Sequence, residues 1–182
     1  MVNRILRAAG KRRIPMVLGM PLSTFTMVHV LISLVGIVSG FIVLFGLLTG
    51  RSLDRVTIVF LASTVLTSAT GFLFLFEKLL PSHVVGIISL LVLAVAVAAR
   101  YAFHLARAWR WIYAVTATLA LYFNVFVLIA QSFQKIPALK AMAPTQTEPA
   151  FKIAQLLALA IFVALGTMAV KRFRPSARAA GA

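Results

Sequence analysis

The residues of this chain that could do chemistry are two histidines and a carboxylate, His29, His83 and Glu77, set in or beside long apolar runs. Two facing imidazoles with Gly36 and Gly86 nearby form the kind of axial pair a b-type haem takes, since glycines let a flat macrocycle approach the backbone. Adding Glu77 gives two histidines and one carboxylate, a donor set suited to a divalent transition metal. The same groups could instead form a protonatable cluster in which His83 and Glu77 tune each other. Asn124, Gln131 and Gln155 are polar neighbours on the same side of the chain's expected fold. Each residue also has an ordinary reading. Ser82 reads as a helix N-cap with His83 in the first turn, and Glu77 beside Lys78 reads as a solvated helix end. His104 sits near a helix C-terminus, which favours a cation, and Asn124 is suited to an interhelical hydrogen bond. His29 lies about one turn into its helix on the packing face and is the hardest to explain that way.

The elements that must position these residues are transmembrane helices. A hydrocarbon core about 30 Å thick needs about 20 apolar residues at 1.5 Å rise, and the stretch LLPSHVVGIISLLVLAVAVAARYAFH, Leu79 to His104, meets that with His83 at one mouth and Arg100, Tyr101 and His104 at the other. The pattern predicts an all-α integral membrane bundle of five transmembrane helices at about 25–48, 56–76, 83–102, 111–131 and 153–170, four forming an up-down core and the fifth added to it. A basic N-terminal tail, 1–24, precedes the membrane domain, 25–173, and a polar tail, 174–182, follows it. The first apolar stretch runs about 25 residues without an A-x-A-like site, which favours an uncleaved spanning helix over a signal peptide. In the loop 132–152, SFQKIPALKAM is mildly amphipathic and suits the membrane surface, whereas APTQTEPA reads as an extended linker. Spans one and three are parallel and diagonal in such a bundle, so His29 and His83 would approach one point between helices.

Composition narrows the function. The chain is 62% hydrophobic with three acidic residues and a formal charge of +15. Its basic residues sit at the ends of apolar segments, where they face lipid headgroups; no nucleic-acid motif accompanies them. The absence of cysteine excludes thiolate metal sites, covalent c-type haem and Cys nucleophiles. With few acids and no suggestive Ser–His pair, hydrolytic enzymes lack their usual parts. Arg51, Arg55, Arg100, Arg107, Arg110, Lys171, Arg172, Arg174 and Arg178 fall on one side, against Lys78, Lys135, Lys140 and Lys152 on the other. Leaving the basic N-terminal tail aside, that bias places the C-terminus in the cytoplasm.

Small and polar residues recur at helical spacing: His29, Ser33, Gly36 and Gly40 in the first span, Ser63, Thr67 and Thr70 in the second, Ala154, Ala158 and Ala164 in the fifth. Helices in lipid meet through such faces, which would serve a homo-oligomer or a larger membrane complex as well as the bundle itself. The stretches STFTMVHVLISLVGIVSG and LLPSHVVGIISLLVLAVA resemble small polytopic proteins of the bacterial inner membrane that carry no assigned activity. That resemblance implies an inner-membrane, multi-pass setting and no substrate. Three functions follow as expectations: an accessory subunit, a binding protein holding a haem or metal through the His/Glu cluster, and a small-solute or proton transporter using the hydroxyls Ser33, Ser63, Thr67 and Thr70 as a path.

Overall fold

The apolar runs are helical because a helix satisfies its backbone N–H and C=O groups within the segment, as hydrocarbon requires. The computed structural model describes residues 16–74 and 81–173, the side chains of 81–83 excepted. The described residues begin with a small hairpin, β1 (Met16–Val17) paired antiparallel with β2 (Met20–Pro21). Its two-residue turn has Leu18 and Gly19 both at positive φ, the mirror-image turn whose twist suits a hairpin. α1 (Leu22–Leu48) leaves directly from Pro21. It ends where Gly50 adopts φ +72° and the Arg51 N–H returns to the Gly46 carbonyl at 2.8 Å, a left-handed stop that glycine makes without steric cost.

α2 (Asp54–Gly71) follows, then α3 (Pro81–Val97), which runs on into a π-helical turn, Ala98–Ala102. α4 (Trp109–Lys135), the short α5 (Pro137–Met142) and α6 (Pro149–Arg172) are the remaining helices of the described residues. Among the described residues four helical stretches are long and apolar enough to cross a membrane: Leu22–Leu48, Val84–Ala102, Trp109–Lys135 and Pro149–Arg172. These match the first, third, fourth and fifth expected spans. α2 is less apolar because Asp54 and Arg55 open it and Thr57, Ser63, Thr64, Thr67 and Thr70 run along it.

Consecutive long helices are antiparallel. Gly36 faces Ser63 and Thr64 while Gly46 faces Leu53, which fixes α2 against α1. Ser68 on α2 donates to Ser89 on α3 at 3.2 Å. α3 and its π-helical turn pack on α4, with Ala96, Ala99, Ala114 and Ala117 each at most 2% exposed. Without a hydrophobic drive between helices in lipid, such small residues let backbones close up and gain dispersion contact. α4 lies against α1 as well as α3, and α6 packs on α4 and α1. The core so formed includes Val43, Leu47, Phe60, Leu93, Tyr113 and Leu121. The outer faces keep their large apolar side chains exposed, among them Leu31, Val38 and Phe45 on α1 and Ile153, Leu156 and Val163 on α6. That surface suits hydrocarbon rather than water.

The loop expected at 132–152 is more ordered than its composition suggested. α4 continues to Lys135, and α5 occupies the amphipathic half with no buried residue. The APTQTEPA half is gathered by Glu148, whose carboxylate accepts from the Thr145 N–H and hydroxyl and from the Thr147 N–H at 2.8–3.1 Å. These bonds turn a nominal linker into a closed turn leading into α6.

Candidate functional site

His29 is the sequence-derived site residue whose surroundings are most fully defined. Its Nδ1 lies 2.8 Å from the Thr70 hydroxyl of α2, and its ring meets Phe74 edge-on with centroids 5.1 Å apart. Phe25 closes the other side of Phe74 at 5.0 Å. Thr70 also donates back to the Leu66 carbonyl at 2.6 Å, so its Oγ1 accepts best from an Nδ1–H tautomer of His29, leaving Nε2 as the free lone pair. Glu77 lies outside the described residues, as does the side chain of His83, which begins α3. Among the described residues no three His, Cys, Asp or Glu side chains gather as a metal set.

The remaining polar residues of the proposed cluster go to separate places. Asn124 donates its amide to Thr64 at 3.1 Å, opposite Gly36 on α1. Gly36 is seven residues from His29, about 10 Å along the helix axis. Gln155 donates to the Phe126 carbonyl at 3.1 Å and so ties α6 to α4. Gln131 is exposed. The glycines expected to cradle a macrocycle face occupied space. A Cβ on Gly36 would meet Ser63 Oγ at 3.1 Å and Thr64 Oγ1 at 3.3 Å, and one on Gly86 would meet the Phe72 ring at 3.0 Å. Gly36 is small so that hydroxyls and an amide can reach across three helices, and Gly86 so that an aromatic ring can lie on it.

The polar line continues down α2. Thr67, between the His29–Thr70 pair and the Thr64–Asn124 pair, has a buried hydroxyl oxygen without a partner among the described residues. Below Ser63, Phe60 and Leu121 close over Gly40 and interrupt the line. Beyond this plug, the Tyr113 hydroxyl reaches Thr57 at 3.5 Å.

At that end of the bundle is a second site that the pattern of the sequence did not single out. The Arg100 side chain is only 8% exposed and forms an ion pair with Asp54, of which 68% is exposed. Ser52 bridges the two, accepting from Arg100 at 3.1 Å and donating to Asp54 at 2.7 Å. The guanidinium also lies over the rings of Tyr113 and Tyr101, 5.3 and 5.8 Å from their centroids. Arg100 reads from the sequence as one more interfacial anchor; the π-helical turn carries it inward over Tyr113. The hydrogen bond from Ser52 chiefly holds the Asp54 carboxyl below its ordinary value of 3.8, with Arg100 adding to it against some desolvation. A depressed carboxylate contributes stability that is complete above its ordinary pKa and is lost as pH falls through the folded value. The unfolding midpoint in detergent should therefore be flat from neutral pH to about 5 and fall below about 4, and Asp54→Asn should flatten that acid limb. An acid limb unchanged in Asp54→Asn would assign the loss elsewhere.

Comparisons with protein-family models, with curated proteins and with solved structures find no match to this chain.

Proposed function

We propose that the chain is a multi-pass protein of the bacterial inner membrane that acts as an accessory or scaffold subunit, with its C-terminus in the cytoplasm. In this reading α2 is also a membrane span, its polar row shielded from lipid by α1, α3 and α4. The observation that carries the proposal is how the polar interior is used. Ser68–Ser89, Thr64–Asn124, His29–Thr70, Thr57–Tyr113 and Gln155–Phe126 each join one helix to another. Most other hydroxyls, including Ser33, Ser39, Ser63, Thr116 and Thr118, return to a carbonyl three or four residues earlier. Polar groups held this way fasten a bundle together and leave its apolar outer faces for lipid and partner helices. Leaving the basic N-terminal tail aside, the nine-to-four distribution of basic residues supports the orientation.

A second reading, proton or small-solute transport, draws on one observation: the unpartnered Thr67 hydroxyl oxygen between the His29–Thr70 and Thr64–Asn124 pairs. A polar atom left without a bond in hydrocarbon is a functional signal. One experiment separates the readings. Protein reconstituted into liposomes with an internal pH-sensitive dye should collapse an imposed pH gradient no faster than empty liposomes, and in mild detergent the protein mass of the particle, after subtraction of bound detergent, should exceed its 19.7 kDa monomer. A protein-dependent proton flux lost in both Thr67→Val and His29→Gln would replace the scaffold reading with transport.

A further inference from the structure

We propose that the outer groove between α4 and α6 is a binding site for an anionic phospholipid, with one acyl chain in the groove and the headgroup at Lys171. The groove has a volume of about 380 Å³ and is lined by Val115, Thr118 and Tyr122 of α4 and by Phe162, Gly166 and Thr167 of α6, with Lys171 at its end. Its walls are apolar despite two threonines. The Thr118 hydroxyl donates to the Ala114 carbonyl at 2.7 Å and the Thr167 hydroxyl to the Val163 carbonyl at 2.8 Å, so both hydroxyls are already bonded within their own helices. Gly166 forms part of the floor, where a Cβ would lie 3.4 Å from Thr118 Cγ2. From Leu159 to Lys171 the α6 wall runs about 18 Å, comparable with the roughly 15 Å depth of one leaflet's hydrocarbon.

Charge decides which lipid fits. The open end of the groove lies at Lys171, with Arg172 next to it, and the backbone of Arg172 sits against Gly50 in the α1–α2 turn beside Arg51. An apolar groove ending in exposed cations matches a hydrocarbon chain bearing a phosphate. A zwitterionic phospholipid offers the same chain but little net attraction to the cations. The site is independent of whether the protein is a scaffold or a transporter.

The test uses full-length protein in mild detergent, exposed to equimolar phosphatidylglycerol and phosphatidylethanolamine and weighed by native mass spectrometry. Phosphatidylglycerol should be the retained adduct. Lys171→Gln, which changes only an exposed side chain, should reduce its preference over phosphatidylethanolamine about fivefold, the effect of one cation near an anionic surface. Gly166→Leu should remove the adduct altogether at unchanged helicity, because the new side chain fills the groove. Equal retention of the two lipids by the unaltered protein would overturn the proposal. So would an adduct that survives Gly166→Leu, or a dimer without lipid that Gly166→Leu dissociates, which would assign the groove to a second copy of the chain.

Discussion

Replacing Gly40 by leucine is expected to cost about 3 kcal/mol of stability, with α1 pushed away from α2 and α4. Even a Cβ at this position would lie 2.6 Å from Leu121 Cδ1 and 2.8 Å from Phe60 Cε2. Both neighbours are only 1% exposed, so neither can swing out into lipid without opening the core. The whole leucine side chain must then be accommodated by moving helices, and α1 would lose its packing against two of them together. Unfolding by SDS in mixed micelles would give the number directly. Gly71→Ala is the control, because among the described residues its Cβ would meet only His29 Cε1, at 4.0 Å, and its effect should stay within about 0.5 kcal/mol. If Gly40→Leu unfolds no more readily than the parent protein, the closure of α1, α2 and α4 described above is wrong.

Tyr113→Ala should be comparably damaging, at about 3–5 kcal/mol, while Tyr113→Phe should cost less than about 1. The ring is 1% exposed; it supports the Arg100 guanidinium and lies 6.0 Å from the Phe173 ring. Removing it leaves a cavity and takes away a face on which the buried cation rests. The hydroxyl matters less because its bond to Thr57, at 3.5 Å, is at the limit of a useful length. A double-mutant cycle with Arg100→Ala isolates the ring–cation contact, and a coupling of about 1 kcal/mol is expected. The Asp54 arm should contribute less, because solvent screens a carboxylate that is 68% exposed. Additive single effects would show that Arg100 is held by its other partners, and equal losses for alanine and phenylalanine would transfer the role to the hydroxyl.

These two sites show which signals were readable along the chain. The step pattern His29, Ser33, Gly36, Gly40 marks one packing face, and the structure sets His29, Gly36 and Gly40 against α2 and α4 while Ser33 bonds back within α1. What each glycine accommodates was not readable. Gly36 next to a histidine suggested a cofactor, yet its space holds Ser63, Thr64 and Asn124. Spacing shows that a residue is small and on which face, but not which neighbour comes close. Arg100 was harder still. A lone arginine at the end of an apolar run reads as a headgroup anchor, and its inward placement depends on a π-helical turn and on a tyrosine thirteen residues later.

By itself the sequence determined that the protein is helical and apolar, because lipid-compatible runs of this length can satisfy their backbones only within the segment. It also determined which residues are small, polar or basic along each run. Only the tertiary structure decided that His29 bonds Thr70, that Asn124 and Gln155 sit elsewhere, and that Arg100 rests on Tyr113 beside Asp54. The physical reason is that helix formation is local, whereas the partner of a polar side chain is set by how helices far apart in sequence approach and rotate. In this protein that approach is fixed at glycines such as Gly36, Gly40 and Gly46, where an added Cβ would lie only 2.6–3.1 Å from its nearest neighbour.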